Sequence, residues 1–106
     1  MAKKTPTQRS LENLRGRYDL VQVVERWNPH ARIRQDLYGI IDILCVGDGE
    51  TVAVQTTSGS SVSARLKKMT ESEALPHLRK AGWRIIIQGW RKNSAGKWVL
   101  REVDLS

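Results

Sequence analysis

The chain has 106 residues and a mass of 12.0 kDa, which is enough for one compact domain and too short for two. Hydrophobic residues make up 40% and charged residues 27%, and the single cysteine excludes an internal disulfide framework and a cysteine-rich zinc site. Eighteen Lys and Arg against eleven Asp and Glu give a net charge of +7, which favours a polyanionic partner such as nucleic acid.

No apolar run approaches the ~20 residues that a membrane-spanning helix needs. The first residues, Met-Ala-Lys-Lys-Thr-Pro, carry no apolar segment behind their lysines, as a secretory signal would. We therefore expect no membrane association and a cytoplasmic, intracellular location.

The N-terminal residues predict a short tail followed by a helix. Residues 1–6 are expected to form a flexible basic tail, and residues 7–106 a single domain. Thr7 or Ser10 is expected to cap a helix over about residues 8–17, since hydroxyl side chains are favoured at helix N-termini.

Strand-forming residues dominate the next part of the chain. β-prone residues predict a strand over 18–27, and Asn28-Pro29-His30 predicts a turn after it. A nearly continuous apolar run over 40–46 is typical of a strand at the centre of a sheet. The turn Gly47-Asp48-Gly49-Glu50 joins it to a strand over 51–57, so these two strands are expected to form a hairpin.

The second half of the chain predicts helix and then strand. Small residues at 58–61 lead into a helical pattern over 62–81 that is interrupted near Thr70. Strands are expected over 83–90 and 97–103. The predicted order, α-β-β-β-α-β-β, indicates an α/β domain with a mixed central sheet flanked by helices.

Asp42 is the residue whose position most needs a chemical explanation. It lies between aliphatic residues of a predicted central strand, where a carboxylate is costly unless it is paired, protonated or bound to a metal. A two-residue loop at Asp48-Gly49 places Asp42 opposite Gln55, with Cβ atoms roughly 5 Å apart. Strand alternation puts Thr57 on the face of Gln55, so we expect a polar cluster of these three residues. The alternative is a hydrogen-bonded Asp at the end of the sheet.

Two segments resemble the PD-(D/E)XK nuclease superfamily, especially its small members related to archaeal Holliday junction resolvases and phage nucleases. The family motif has an Asp on the second strand and an acidic residue, any residue and Lys on the third. Asp42 stands at the Asp position in Gly-Ile-Ile-Asp-Ile-Leu. In Val-Ala-Val-Gln-Thr-Thr, Gln55 and Thr57 replace the acidic residue and the Lys. The resemblance covers roughly residues 7 to 90 and implies a single restriction-endonuclease-like domain.

The resemblance implies a metal-dependent endonuclease that hydrolyses DNA phosphodiesters, with branched or Holliday-junction-like DNA among its substrates. It implies Mg²⁺ as the cofactor, with Mn²⁺ as the alternative, held by Asp42 and Gln55, and a homodimer as the assembly. Glu12 is implied as a further ligand, because resolvase relatives carry an acidic residue on the first helix. Glu25 and Asp36 are rival ligands, because each lies at the edge of a strand that leads to the same end of the sheet.

Thr57 cannot replace a cation, so another residue has to supply the positive charge of the motif. Arg65, Lys67 or Lys68 on the following helix could supply it. The candidate contacts to nucleic acid are basic residues of turns and patches and one serine: Arg32, Arg34, Ser60, Arg65, Lys67, Lys68, Arg91 and Lys92. Ser60 precedes a predicted helix, where backbone N–H groups bind phosphate, although the serines there could equally be ordinary helix caps.

Two other hypotheses remain open. Gln55 and Thr57 also fit a DNA-binding module that keeps the nuclease fold without the chemistry. A basic domain that binds an acidic protein surface is the third. Cleavage would require Mg²⁺, salt-sensitive DNA binding would not, and the third hypothesis predicts no affinity for DNA.

Overall fold

The structure, a computed structural model, describes residues 4–106, so the first three residues of the predicted tail lie outside the described residues. Three α-helices and seven β-strands are found in this range: α1 (Pro6–Arg15), β1 (Leu20–Val23), β2 (Arg26–Asn28), β3 (Ile33–Gln35), β4 (Ile43–Gly47), β5 (Glu50–Ser58), α2 (Val62–Thr70), α3 (Ala74–Lys80), β6 (Arg84–Lys92) and β7 (Trp98–Asp104). Between residues 4 and 106, no helix is long and apolar enough to cross a membrane.

The main sheet has five strands in the order β1-β4-β5-β6-β7. β5 and β6 are parallel and the other neighbours are antiparallel, so the predicted mixed central sheet is confirmed. The crossover between the parallel strands contains α2 and α3, as parallel pairing requires. β2 and β3 form a separate two-stranded sheet.

Helices cover both faces of the main sheet. α1 packs Leu14 on one face, against Ile43, Cys45, Val52, Val54 and Ile86. α2 and α3 pack on the opposite face, against Ala53, Ile85 and Ile87. Alternate residues of β5 and β6 thus enter two separate cores, which explains why both strands are apolar on both sides.

The first helix begins earlier than predicted, at Pro6. Thr5 is the N-cap, because its hydroxyl accepts the backbone N–H of Gln8 (3.2 Å) and the Gln8 side chain accepts the backbone N–H of Thr5 (2.8 Å). The predicted caps, Thr7 and Ser10, are therefore wrong, and both residues lie inside the helix. Ser10 is fully buried and donates to the Thr56 hydroxyl (2.8 Å).

The predicted hairpin with its turn at Asp48-Gly49 is confirmed. Gly47 pairs with Glu50, and the antiparallel register continues to Ile43 opposite Val54. Asp48 and Gly49 both have positive φ, 52° and 75°, as a two-residue turn of this kind requires. The register changes by one residue at Asp42, since its N–H donates to the carbonyl of Val54, which already pairs with Ile43 (2.9 Å).

The single strand predicted over 18–27 is wrong, because the chain forms β1 and then leaves the sheet. Val24 makes the last contact, donating its N–H to the Asp42 carbonyl (2.8 Å). Asn28 then stabilises a turn, its Oδ1 accepting the N–H groups of His30 and Ala31, so that β2 pairs with β3. The interruption predicted near Thr70 is confirmed, and it divides the second helical segment into α2 and α3.

Candidate metal centre and its basic rim

A cavity of about 630 Å³ lies where the base of the β2–β3 hairpin meets β5 and α2. Its walls are mostly polar and carry three acidic and three basic side chains. The lining residues are Thr7, Glu25, Arg34, Gln35, Asp36, Gly39, Asp42, Gln55, Thr56, Arg65 and Lys68.

Asp42 lies at the inner end of this cavity and is only 3% exposed. Its Oδ2 accepts the backbone N–H of Thr56 (2.9 Å) and a hydrogen bond from the Gln55 side-chain Nε2. The Asp42 and Gln55 side chains therefore meet as predicted, although the two residues do not form the facing backbone pair that was expected. The paired register ends at Ile43 opposite Val54, and the contact is made by the side chains just beyond it.

Glu25 and Asp36 join Asp42 to form a cluster of three carboxylates. Each contributes an oxygen atom that lies within 4.8 Å of those of the other two. The register of the second hairpin explains this convergence. Arg26 pairs with Gln35, so the residues just outside that pair, Glu25 and Asp36, are held together at the hairpin base.

Burial of Asp42 among other carboxylates raises its pKa to about 8. Desolvation is the largest cause, and a hydrogen bond with Asp36 and the negative charges of Asp36 and Glu25 act in the same direction. The backbone N–H of Thr56 lowers the pKa and offsets only part of this. Near neutral pH the cluster therefore retains a proton, which a divalent cation could displace.

Three cations surround the acidic cluster. Arg34 forms an ion pair with Glu25 (3.2 Å), and the Lys68 Nζ lies 3.9 Å from Asp36. Arg65 lies on the same face of α2 as Lys68, because residues three apart on a helix are neighbours. The structure thus brings Arg65 and Lys68 to the cavity, whereas Lys67 is exposed and is not one of the lining residues.

The residues of the cluster fit a hard divalent cation such as Mg²⁺. Such ions prefer oxygen ligands, and opposite ligands of an octahedral Mg²⁺ are about 4 Å apart, close to the spacing of these carboxylates. Gln55 adds a second observation. Gln55 is only 1% exposed, and its buried Oε1 has no hydrogen-bond partner among residues 4–106. Because Gln55 lines the cavity and contacts Asp42, its unpartnered amide oxygen is a suitable fourth ligand.

Two predicted site residues lie away from the cluster. Glu12 is exposed on α1 and pairs with Lys4 (2.7 Å), while α1 contributes Thr7 to the cavity instead. Thr57 is buried two residues beyond Gln55, about 6.6 Å further along β5, and does not line the cavity.

The other predicted nucleic-acid contacts are spread around the molecule. Arg32 is exposed at the turn of the β2–β3 hairpin, and Arg91 and Lys92 are exposed at the end of β6. Ser60 lies in a 3₁₀ turn before α2, with its hydroxyl 3.2 Å from that of Ser58. Neither Ser58 nor Ser61 makes a side-chain cap, so the serine-cap interpretation is wrong.

The lining residues that sequence reasoning missed are Thr7, Gln35, Gly39 and Thr56. Thr7 reaches the cavity because α1 begins at Pro6, and the Thr5-x-x-Gln8 capping box was a sequence signal for that start. Gln35 follows from the β2–β3 hairpin, for which the Asn28-Pro29 turn was the signal. We find no signal in the sequence for Gly39 and Thr56.

Comparison of the chain with models of known protein families, with curated proteins and with solved structures gives no match. The arguments about its function therefore rest on its own residues and on their geometry.

Proposed function

We propose that this chain is a metal-dependent nuclease that hydrolyses phosphodiester bonds of DNA. One observation carries the proposal: Glu25, Asp36 and Asp42 converge in a cavity large enough for a phosphodiester group, with cationic side chains at its rim. Acidic ligands beneath a basic rim form an arrangement that holds a metal and a polyanion together. The resemblance of the Asp42 segment to the PD-(D/E)XK nucleases supports the same chemistry.

Each residue of the cavity has a role in this proposal. Glu25, Asp36 and Asp42, with the Gln55 amide oxygen, would hold Mg²⁺ or Mn²⁺. The bound ion would supply Lewis-acid polarisation of the phosphate and activation of the attacking water. Lys68 and Arg65 would bind phosphate oxygens and stabilise the negative charge that develops on them, which is the role that Thr57 cannot fulfil.

A DNA-binding module without catalytic activity is the second candidate, and one observation favours it. Arg34 and Lys68 already pair with Glu25 and Asp36, so two of the three carboxylates are neutralised within the chain itself. A cluster compensated in this way has less need of a cation. The neutral residues at positions 55 and 57 agree with this candidate.

The deciding experiment is cleavage of labelled branched and linear DNA with Mg²⁺, Mn²⁺ or EDTA. We expect the wild type to cut only with a divalent ion, Asp42→Ala to be inactive, and Glu12→Ala to cut normally. Glu12 is the matched control, because it is an acidic residue that lies outside the cavity. Binding without cutting by all three proteins would favour the inactive module, and an absence of both binding and cutting would refute both candidates.

A further inference from the structure

The β2–β3 hairpin exposes apolar and cationic side chains that the cores of the domain do not use. Trp27 is 58% exposed and Ile33 is 51% exposed, although both lie in strands. Residues 26–35 contain three arginines and neither Asp nor Glu. Large apolar side chains on an exposed basic hairpin indicate a surface that binds a partner.

The position of Trp27 relates this surface to the cavity lined by Glu25, Asp36 and Asp42, which we call the carboxylate cavity. Trp27 pairs directly with Arg34, so their side chains share one face of the hairpin. Arg34 lines the carboxylate cavity and pairs with Glu25. A second, smaller cavity of about 250 Å³ is lined by Trp27, and Gln35 lines both cavities. A ligand that covers Trp27 therefore continues into the carboxylate cavity.

The chemistry of this surface selects the kind of ligand. Arginines attract phosphates, and an exposed indole ring offers a flat face on which a nucleobase stacks. In a continuous duplex each base is already stacked between its neighbours, so only an unpaired base presents a free face. An indole ring that points outward beside the carboxylate cavity would thus distinguish unpaired DNA from duplex DNA.

We propose that Trp27 stacks on an unpaired base of DNA that is bound at the carboxylate cavity, so that the protein prefers DNA with unpaired nucleotides to continuous duplex. This inference rests on the proposed function, because it takes DNA as the bound polymer. It adds the substrate class, namely single-stranded segments, flaps or open branch points, and a specificity residue outside the catalytic cluster.

The test is the affinity of the protein for labelled single-stranded and duplex DNA of equal length, in EDTA and at one salt concentration. Trp27→Ala should weaken single-strand binding about 5- to 150-fold, the usual effect of removing one base-stacking side chain, and should change duplex binding less than about twofold. Trp27→Tyr should retain most of the affinity, because its ring still stacks. Trp98→Ala is the matched control. Trp98 is also exposed, to 43%, but it lies on β7 at an edge of the main sheet and not on the β2–β3 hairpin.

The outcomes separate this inference from the proposed function. If the wild type binds and cuts DNA but Trp27→Ala binds single strands normally, the stacking inference is overturned and the nuclease is retained. Equal losses on single-stranded and duplex DNA would also overturn it, since they would indicate a backbone contact. If the wild type has no affinity for either DNA, both proposals are wrong and the hairpin binds another kind of partner.

Discussion

Replacing Asp42 with Asn should remove a pH dependence from the stability of the metal-free protein. The folded state raises the pKa of Asp42 from its ordinary 3.8 to about 8. Between these values the folded protein keeps a proton that the unfolded chain has released. Stability therefore falls as the pH rises through this window, and the loss is complete above the folded pKa.

The size of the effect follows from the shift. One pKa unit corresponds to about 1.4 kcal/mol, so a rise from about pH 5 to pH 8 removes at most about 4 kcal/mol of stability. The shift of Asp42 also depends on the charges of its neighbours, so we expect only part of this limit. For a domain of this size about 1 kcal/mol shifts the melting temperature by roughly 4–8 °C, so a decrease of at least about 5 °C is expected.

The assay is thermal unfolding in EDTA across this pH range. Asn has nearly the shape of Asp and remains neutral, so Asp42→Asn should be more stable than the wild type at high pH and should show a weaker pH dependence. All other ionisable side chains are common to both proteins, so the difference between the proteins isolates Asp42. Glu12→Gln is the control and should keep the wild-type slope, since its carboxylate is exposed. Equal slopes for the wild type and Asp42→Asn would refute the reasoning.

Two further predictions concern the cation at the site and the packing of α2. Lys68→Ala should lower the cleavage rate about 100-fold, because it removes a group that stabilises the developing charge. Lys67 is its neighbour outside the cavity, so Lys67→Ala is the control and should cut at nearly the wild-type rate. Equal rates for the two variants would contradict the assignment. Gly89→Ala should destabilise the protein by about 1–3 kcal/mol in chemical denaturation, because the added Cβ would overlap the Val62 side chain at the start of α2. Gly16→Ala is the control and should not destabilise it, since the nearest atom to the added Cβ is 3.6 Å away. An unchanged denaturation midpoint for Gly89→Ala would contradict this prediction.

Local chemistry made parts of this fold predictable. The β4–β5 hairpin follows from a two-residue turn, and its register follows from that turn without any knowledge of the rest of the molecule. The Asp42 and Gln55 side chains meet just beyond the last pair of this hairpin, so the centre of the candidate site was predictable from residues 42–55. Both inferences depend on residues that are close in sequence, where the geometry has few alternatives.

Other parts depended on long-range packing and were not predictable in the same way. β2 and β3 have only three residues each, which is too few to establish the alternation of apolar and polar residues that identifies a strand. The prediction that Glu12 lies near Asp42 is wrong because of the geometry of α1. Thr7, Ser10 and Leu14 share the inner face of α1 at spacings of three and four residues, and Glu12 lies on the outer face.

The acidic cluster is held together by the backbone, against the mutual repulsion of its carboxylates. One hairpin brings Asp42 to Gln55 just beyond its last pair, and the register of the other brings Glu25 to Asp36. The hydrogen bond from the Val24 N–H to the Asp42 carbonyl joins the two hairpins one residue before Glu25. These contacts are made by the backbone and by Gln55, and the raised pKa of Asp42 reflects mainly its desolvation, to which the neighbouring carboxylates add. The proposed cation site requires a backbone of this kind, which gathers three carboxylates before the ion binds.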